Sequence, residues 1–277
     1  MYTVGAGDEP GAIKELYDFA SGLGFKVIAA GKGKNNPLDR QATPDSVREL
    51  ARKKGIGPRI LAEFIDGSKT MMEMTTVANA TGLVPDVRGM HGPSSSLDEL
   101  TRVFAHRSKG GILAREGVVD YALGNVAPGV FVVFTTEDTG LARDLDYIGM
   151  GAGPGYLLYR PYHLVSMEIP VSIARAAIYG EPTIASQGQP VAETVAVAKR
   201  NLKAGTRLGA IGGTDAYGLI ETAANARTEG LLPLGLAEGA VVVSDVKENT
   251  PLRWDQVEIE QSDVLLNLRL LQDSMHV

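Results

Sequence analysis

The chain has 277 residues, a net charge of −6 and no cysteine, with 44% hydrophobic and 22% charged residues. This composition fits a globular chain of one large domain or two ordinary ones, and it excludes disulfides, thiolate nucleophiles and cysteine-held metals. No run of Lys or Arg is long enough to track a phosphate backbone, and no apolar stretch approaches the roughly 18 to 20 residues of a membrane span, so neither nucleic acid nor membrane is an expected partner.

The absence of cysteine and of a secretory pattern at the start leads us to expect a soluble, cytoplasmic protein. Residues 1–4 offer at most one short strand before Gly5-Ala6-Gly7. Ile13, Leu16, Tyr17 and Ala20 then recur at helical spacing and predict a helix from Pro10 to about Leu23. Asp8 or Glu9 would cap it, Pro10 suits its first turn, and Gly22 and Gly24 would end it. Gly5-x-Gly7-x-x-x-Gly11 only loosely matches a dinucleotide fingerprint. It lacks a full preceding strand, and Asp8 and Glu9 would place negative charge where a pyrophosphate should bind. The two carboxylates read better as helix caps, or as ligands of a hydroxylated substrate or a hard cation.

Phe25–Ala30 reads as a short strand feeding directly into Gly31-Lys32-Gly33-Lys34-Asn35-Asn36-Pro37. Two glycines in such a loop would let successive N–H groups converge into an anion nest, with charge from Lys32 and Lys34 and further donors from Asn35 and Asn36. A solvated turn with incidental lysines fits the same pattern.

Thr43-Pro44 opens a predicted helix that ends near Gly55, and 58–80 reads mostly as helix with an interruption at Asp66-Gly67-Ser68. Glu63, Asp66, Lys69 and Glu73 lie at helical spacing within it. They form either a solvated face or partly buried carboxylates with the shifted acidities useful for proton transfer. Residues 82–93 read as a loop carrying His91, and Ser96-x-x-Glu99 is a capping box before a helix to about Ala105. Predicted strands follow at Val118–Leu123, Val130–Thr136 and Tyr156–Tyr159, the last two flanking a Gly-rich link over 149–155. His163 sits in the loop beyond, and Ile169–Tyr179 reads as a helix. His106 and His276 read as surface residues.

The proline-bracketed stretch 181–190 reads as a linker. Beyond it, short runs at Val191–Ala198, Leu231–Leu236 and Ala240–Val246 between Gly and Asn turns predict a small β module, and Val257–Leu271 reads as strand, then helix. The expected fold class is α/β, with a catalytic-type domain over 1–185, a small β domain over 190–262 and a C-terminal helix or tail over 263–277.

Several strings taken in order resemble one family: Gly5-Ala6-Gly7-Asp8-Glu9-Pro10, 30–38, Glu63-Phe64-Ile65-Asp66-Gly67-Ser68-Lys69-Thr70-Met71, 78–86, Met90-His91-Gly92-Pro93 and Arg160-Pro161-Tyr162-His163-Leu164. The chain resembles the homoserine-dehydrogenase-like NAD(P)H-dependent oxidoreductases with a C-terminal SAF domain, a group that includes the 1-deoxy-D-xylulose 5-phosphate reductoisomerase-like enzymes. Residues 191–257, through 197–206 and 233–237, resemble the SAF module, a β-clip.

The resemblance implies reduction of a small hydroxylated acid or sugar phosphate with NAD(P)H, alone or coupled to carbon-skeleton isomerisation, in a homo-oligomer. Lys32 and Lys34 would face the substrate anion or a developing oxyanion, and Asn35 and Asn36 would orient its hydroxyls. Glu63 and Asp66 would move protons or hold an ion, with Lys69 as a second charged donor. His91, Arg160 and His163 would line the pocket, and Asp8 and Glu9 could hold a divalent metal. Such proteins begin with a Rossmann domain, and this chain begins where that domain should be ending. That implies a missing segment, a separate Rossmann partner, or a natural truncation. The residues also leave open a non-catalytic SAF-containing ligand-binding or assembly module, and a nicotinamide-independent isomerase or lyase.

Overall fold

The computed structural model describes residues 2–275, so His276 and the last residue of the expected tail lie outside the described residues. In chain order the elements are α1 (Glu9–Gly22), β1 (Lys26–Lys34), α2 (Arg48–Lys54), α3 (Pro58–Asp66), α4 (Ser68–Thr81), β2 (Val84–Pro85), α5 (Leu100–Val103), β3 (Val118–Leu123), β4 (Val130–Thr135), α6 (Thr139–Tyr147), β5 (Tyr156–Arg160), α7 (Ile169–Tyr179), β6 (Ala192–Ala198), β7 (Ala216–Thr222), α8 (Ala223–Thr228), β8 (Val241–Val242), β9 (Val257–Glu258) and α9 (Val264–Ser274). The fold is α/β, with a central mixed sheet followed by a small β-rich region. No helix among the described residues is long and apolar enough to cross a membrane.

The chain divides into two compact units, and the division does not follow chain order. Residues up to Asn35 pack with Thr76–Val191, and Asn36–Thr75 packs with the chain from Ala192 onward. The stretch 36–75 therefore belongs to the same unit as the C-terminal β module, not to a continuous domain over 1–185.

The first unit is built on a five-stranded sheet of order β2-β3-β1-β4-β5. β2, β3 and β1 run parallel, and β4 is antiparallel to both its neighbours. β1 and β4 lie inside the sheet, as does β3, and their sequences, Val27-Ile28-Ala29-Ala30 and Val130-Phe131-Val132-Val133-Phe134, are apolar on both faces. One face carries a core of Ile28, Leu100, Phe104, Leu113, Val118, Phe131 and Val133, in which the Phe104 and Phe131 rings stack at 5.3 Å. α1 packs on β1 and β4.

β1 is longer than the sequence suggests. It runs through Gly31 and Gly33 to Lys34, paired with β3 from Ala29 to Lys34 and with β4 from Lys26 to Lys32, with a bulge between Val27 and Ala29. The expected anion nest is therefore not formed, since the Gly33 N–H donates to the Gly129 carbonyl at 2.9 Å. The glycines serve close packing instead. A Cβ on Gly31 would lie 2.0 Å from the Asp120 carbonyl oxygen, and one on Gly33 would lie 2.1 Å from the Ala127 nitrogen. The helix α6, which the sequence pattern does not announce, is capped by Asp138, whose carboxylate accepts the N–H groups of Gly140 and Leu141.

The second unit has several small cores, one of them Val195, Ala226 and Leu231. Ala42, Val47, Ala51, Leu61, Ala62 and Ile65 gather within 36–75, while Leu202, Leu208, Leu232, Leu234, Val242 and Leu252 fill the β module. Its main feature is the antiparallel pair β6–β7, in register from Ala192 opposite Thr222 to Ala198 opposite Ala216. The expected strand over Leu231–Leu236 is instead a pair of bridges followed by a 3-10 turn, because Pro233 interrupts the ladder. In place of the expected helix from Thr43, residues 44–47 form turns and only Arg48–Lys54 is helical.

Candidate active site

In an open α/β sheet the carboxyl ends of the parallel strands are where side chains converge on a ligand. In the first unit that edge carries an in-register row: Tyr121 on β3, Lys32 on β1, Val130 on β4 and Arg160 on β5. Lys32 is buried on the central strand, and its Nζ lies 2.5 Å from Glu9 Oε1. Glu9 is the first residue of α1, where the helix dipole favours a carboxylate. Lys34 is also buried and follows on the same face of the strand, with Asn35 at its end. Asp8 precedes the helix as its N-cap residue.

The loop after β5 closes on this group. The His163 Nε2 lies 3.6 Å from Glu9 Oε1, and its Nδ1 lies 3.2 Å from the Gly7 carbonyl, to which it donates. Gly7 is needed here, since a Cβ on it would lie 2.8 Å from the Leu164–Val165 backbone. Arg160 donates to Glu15 at 2.8 Å and Glu168 at 2.5 Å and lies over the Tyr162 ring. Glu168 also accepts the Leu164 N–H, and its hydrogen bond from Arg160 holds its carboxyl below the usual range. Arg160 thus acts as a strut for the loop that presents His163.

A second polar group lies at the end of β3. Asp120 is fully buried and accepts the N–H groups of His91, Gly92 and Tyr121, along with the His91 Nδ1 at 2.8 Å. The hydrogen bond to Asp120 raises the affinity of His91 for its proton, outweighing burial, which opposes it. On the other side of the ring, Asp86, which follows β2 directly, places Oδ2 3.4 Å from His91 Nε2. The sequence reading missed Asp120 and Asp86. The available signal was an isolated carboxylate inside an otherwise apolar strand, Val118-Val119-Asp120-Tyr121-Ala122.

In the second unit, Asp66 is wholly buried and ion-paired with Lys199 at 2.7 Å, and it accepts the Ser68 N–H. Lys199 also donates to the carbonyls of Ala42 and Gly213 at 2.7 and 2.8 Å. Among these contacts Asp66 Oδ2 has the Lys199 ammonium as its ion-pair partner but makes no hydrogen bond, and Lys199 had no distinguishing signal in the sequence. Glu63 is different. Partial burial, then the charge of Asp66, push its carboxyl above the usual range. Lys69 pairs with Glu73 and lies over the Phe64 ring, and Asn36 accepts from Lys54 at 3.0 Å. The structure therefore gathers Lys32, Lys34, Asn35, Asp8, Glu9, His91, Arg160 and His163 in one unit, and Asn36, Glu63, Asp66 and Lys69 in the other.

Comparison with known proteins finds two family matches, whose boundaries follow chain order and do not coincide with the two compact units. Residues 7–169 match the family described as oxidoreductase DRL, catalytic domain, and residues 193–258 match the SAF domain. No curated protein matches the chain. With its first match covering more than half of its length, the chain belongs to the DRL oxidoreductase family and joins that family's catalytic domain to a SAF domain.

Proposed function

We propose that this chain is the catalytic and SAF portion of an NAD(P)H-dependent oxidoreductase that reduces a small hydroxylated acid or sugar phosphate at the carboxyl edge of its central sheet. The observation that carries the reading is Lys32, a buried ammonium on the central strand oriented by Glu9. Reduction of a carbonyl puts negative charge on its oxygen, and a preorganised ammonium in a water-poor site stabilises that charge. Lys34, on the same face, is suited to the substrate's anionic group, and Asn35 to its hydroxyls. His163, whose Nε2 faces the same Glu9 oxygen as Lys32, is suited to exchange a proton through that carboxylate.

The nicotinamide cofactor that the family implies does not fit the one helix start resembling its fingerprint. Glu9, at the head of α1, is already ion-paired with Lys32. A pyrophosphate there would meet two adjacent carboxylates. This misfit also favours a second reading, a nicotinamide-independent isomerase or lyase using the same lysines.

Titration of the chain with NADPH and NADH, followed by a panel of small hydroxy acids and sugar phosphates, separates the two. Cofactor oxidation on adding a panel member supports the reductase. Substrate conversion without a nicotinamide supports the isomerase or lyase. A Lys34→Ala variant that binds the panel as tightly as the parent chain would remove the anion-binding role of the β1 lysines.

A further inference from the structure

We propose that Asp120 is a positioning residue which, together with Asp86, holds His91 as a fixed imidazolium and pins the 86–92 turn to the end of β3. His91 then serves the site as a stationary cation and not as a proton shuttle. The assignment deepens the oxidoreductase reading and rests on it for its functional meaning.

The geometry is that of a clamp. The side chains of Asp86 and Asp120 are fully buried and face opposite nitrogens of one ring: Asp120 is hydrogen-bonded to Nδ1 at 2.8 Å, while Asp86 lies 3.4 Å from Nε2 and acts there through its charge without a hydrogen bond. Asp120 further accepts the backbone N–H groups of both His91 and Gly92, so one carboxylate fixes ring and backbone together. Asp86 is held in turn by the Ala114 N–H at 2.8 Å. The turn needs this hold: Gly89, Met90 and Gly92 all have left-handed backbones, with φ of 77°, 63° and 57°, and such a conformation is unfavourable for Met90. Gly92 also lies so close to the Tyr121 ring that a Cβ would come within 2.2 Å of it.

The charged groups acting on the ring are Asp120 from β3, Asp86 from the end of β2 and, opposing them, Arg107. Arg115 lies 3.8 Å from Asp86 and tempers that carboxylate. Two buried carboxylates against these cations favour the protonated ring. The sign follows from linkage: the clamp stabilises the turn fully at acid pH and is lost as pH rises through the raised His91 value.

Nitrogen-detected NMR titration of the histidine side chains in the full ligand-free chain tests this, with His91 assigned from a His91→Gln variant. His91 should keep both ring protons at pH values where a free imidazole has lost one, and Asp120→Asn should weaken its proton affinity about tenfold or more. Amide exchange over 86–92 should quicken in the same variant. If Asp120→Asn fails to fold, Asp86→Asn gives the same comparison from the other side of the ring. A His91 that titrates like a free imidazole in the parent chain, or that is unmoved by the folded Asp variant, overturns the proposal. Because this readout needs no substrate or cofactor, it can fail or succeed separately from the oxidoreductase reading.

Discussion

Lys32 Nζ and Glu9 Oε1 lie 2.5 Å apart, both side chains buried, joining the central strand to the first residue of the first helix. A buried pair of this kind is more costly to break than it is stabilising to have, because either partner alone is left as an uncompensated charge. Lys32→Met and Glu9→Gln should each destabilise the first unit, by about 3 kcal/mol or more for the lysine variant, which strands a carboxylate. The double variant should cost less than the sum. Guanidinium unfolding of the four chains measures the coupling, and strict additivity would mean that the pair does not act as a unit.

The Lys199–Asp66 pair in the second unit should behave more severely. Lys199 neutralises Asp66 and donates to two backbone carbonyls at once, so Lys199→Met should destabilise that unit by about 3 to 5 kcal/mol. A change of under 1 kcal/mol in denaturant unfolding would show that water replaces the ammonium.

Glu63→Gln should stabilise the chain at neutral pH. Burial and Asp66 raise the folded-state carboxyl above the usual range, so ionising it opposes folding. That contribution is favourable below the ordinary carboxylate range and is lost as pH rises through the raised folded value. Stability curves of the two chains should therefore converge at acid pH and separate toward neutrality. Curves that stay parallel throughout would place Glu63 in ordinary solvent.

Gly31→Ala and Gly33→Ala should each cost about 3 kcal/mol or more, since the new methyl group meets fixed backbone on a neighbouring segment. Gly22→Ala, with open space around it at the end of α1, should be neutral or stabilising by up to about 1 kcal/mol. Thermal unfolding ranks the three. Equal, small effects would mean that the sheet accommodates a side chain there and that the glycines are kept for another purpose.

Much of this was visible in the sequence where a single local signal decided the structure. The helical stripe Ile13, Leu16, Tyr17 and Ala20, and the apolar runs that become β3, β4 and β6, form the elements their periodicity announces. The extent of β1 was not visible, because two glycines and two lysines in a row look like a loop until a strand on each side takes up their backbone groups. Asp120 and Lys199 were hidden for a related reason. Each is a charged residue in apolar surroundings, and only the tertiary partners, His91 for one and Asp66 for the other, explain its burial. The membership of 36–75 was hidden as well, since contacts between stretches more than a hundred residues apart leave no mark on local composition.

That last feature bears on how such a protein can change over evolutionary time. The SAF match begins at 193, yet its unit is completed by residues from inside the catalytic match: Asp66 meets Lys199, the Ser68 hydroxyl accepts the Gly218 N–H at 2.8 Å, and Thr75 meets Thr194 at 2.8 Å. A crossover near residue 190 that exchanged only the tail would pair a foreign β module with the resident 36–75 stretch and leave a buried ammonium or carboxylate stranded. The two sequence families are thus bound to drift together at these positions, and the module is inherited as an interleaved whole, not as a detachable cassette.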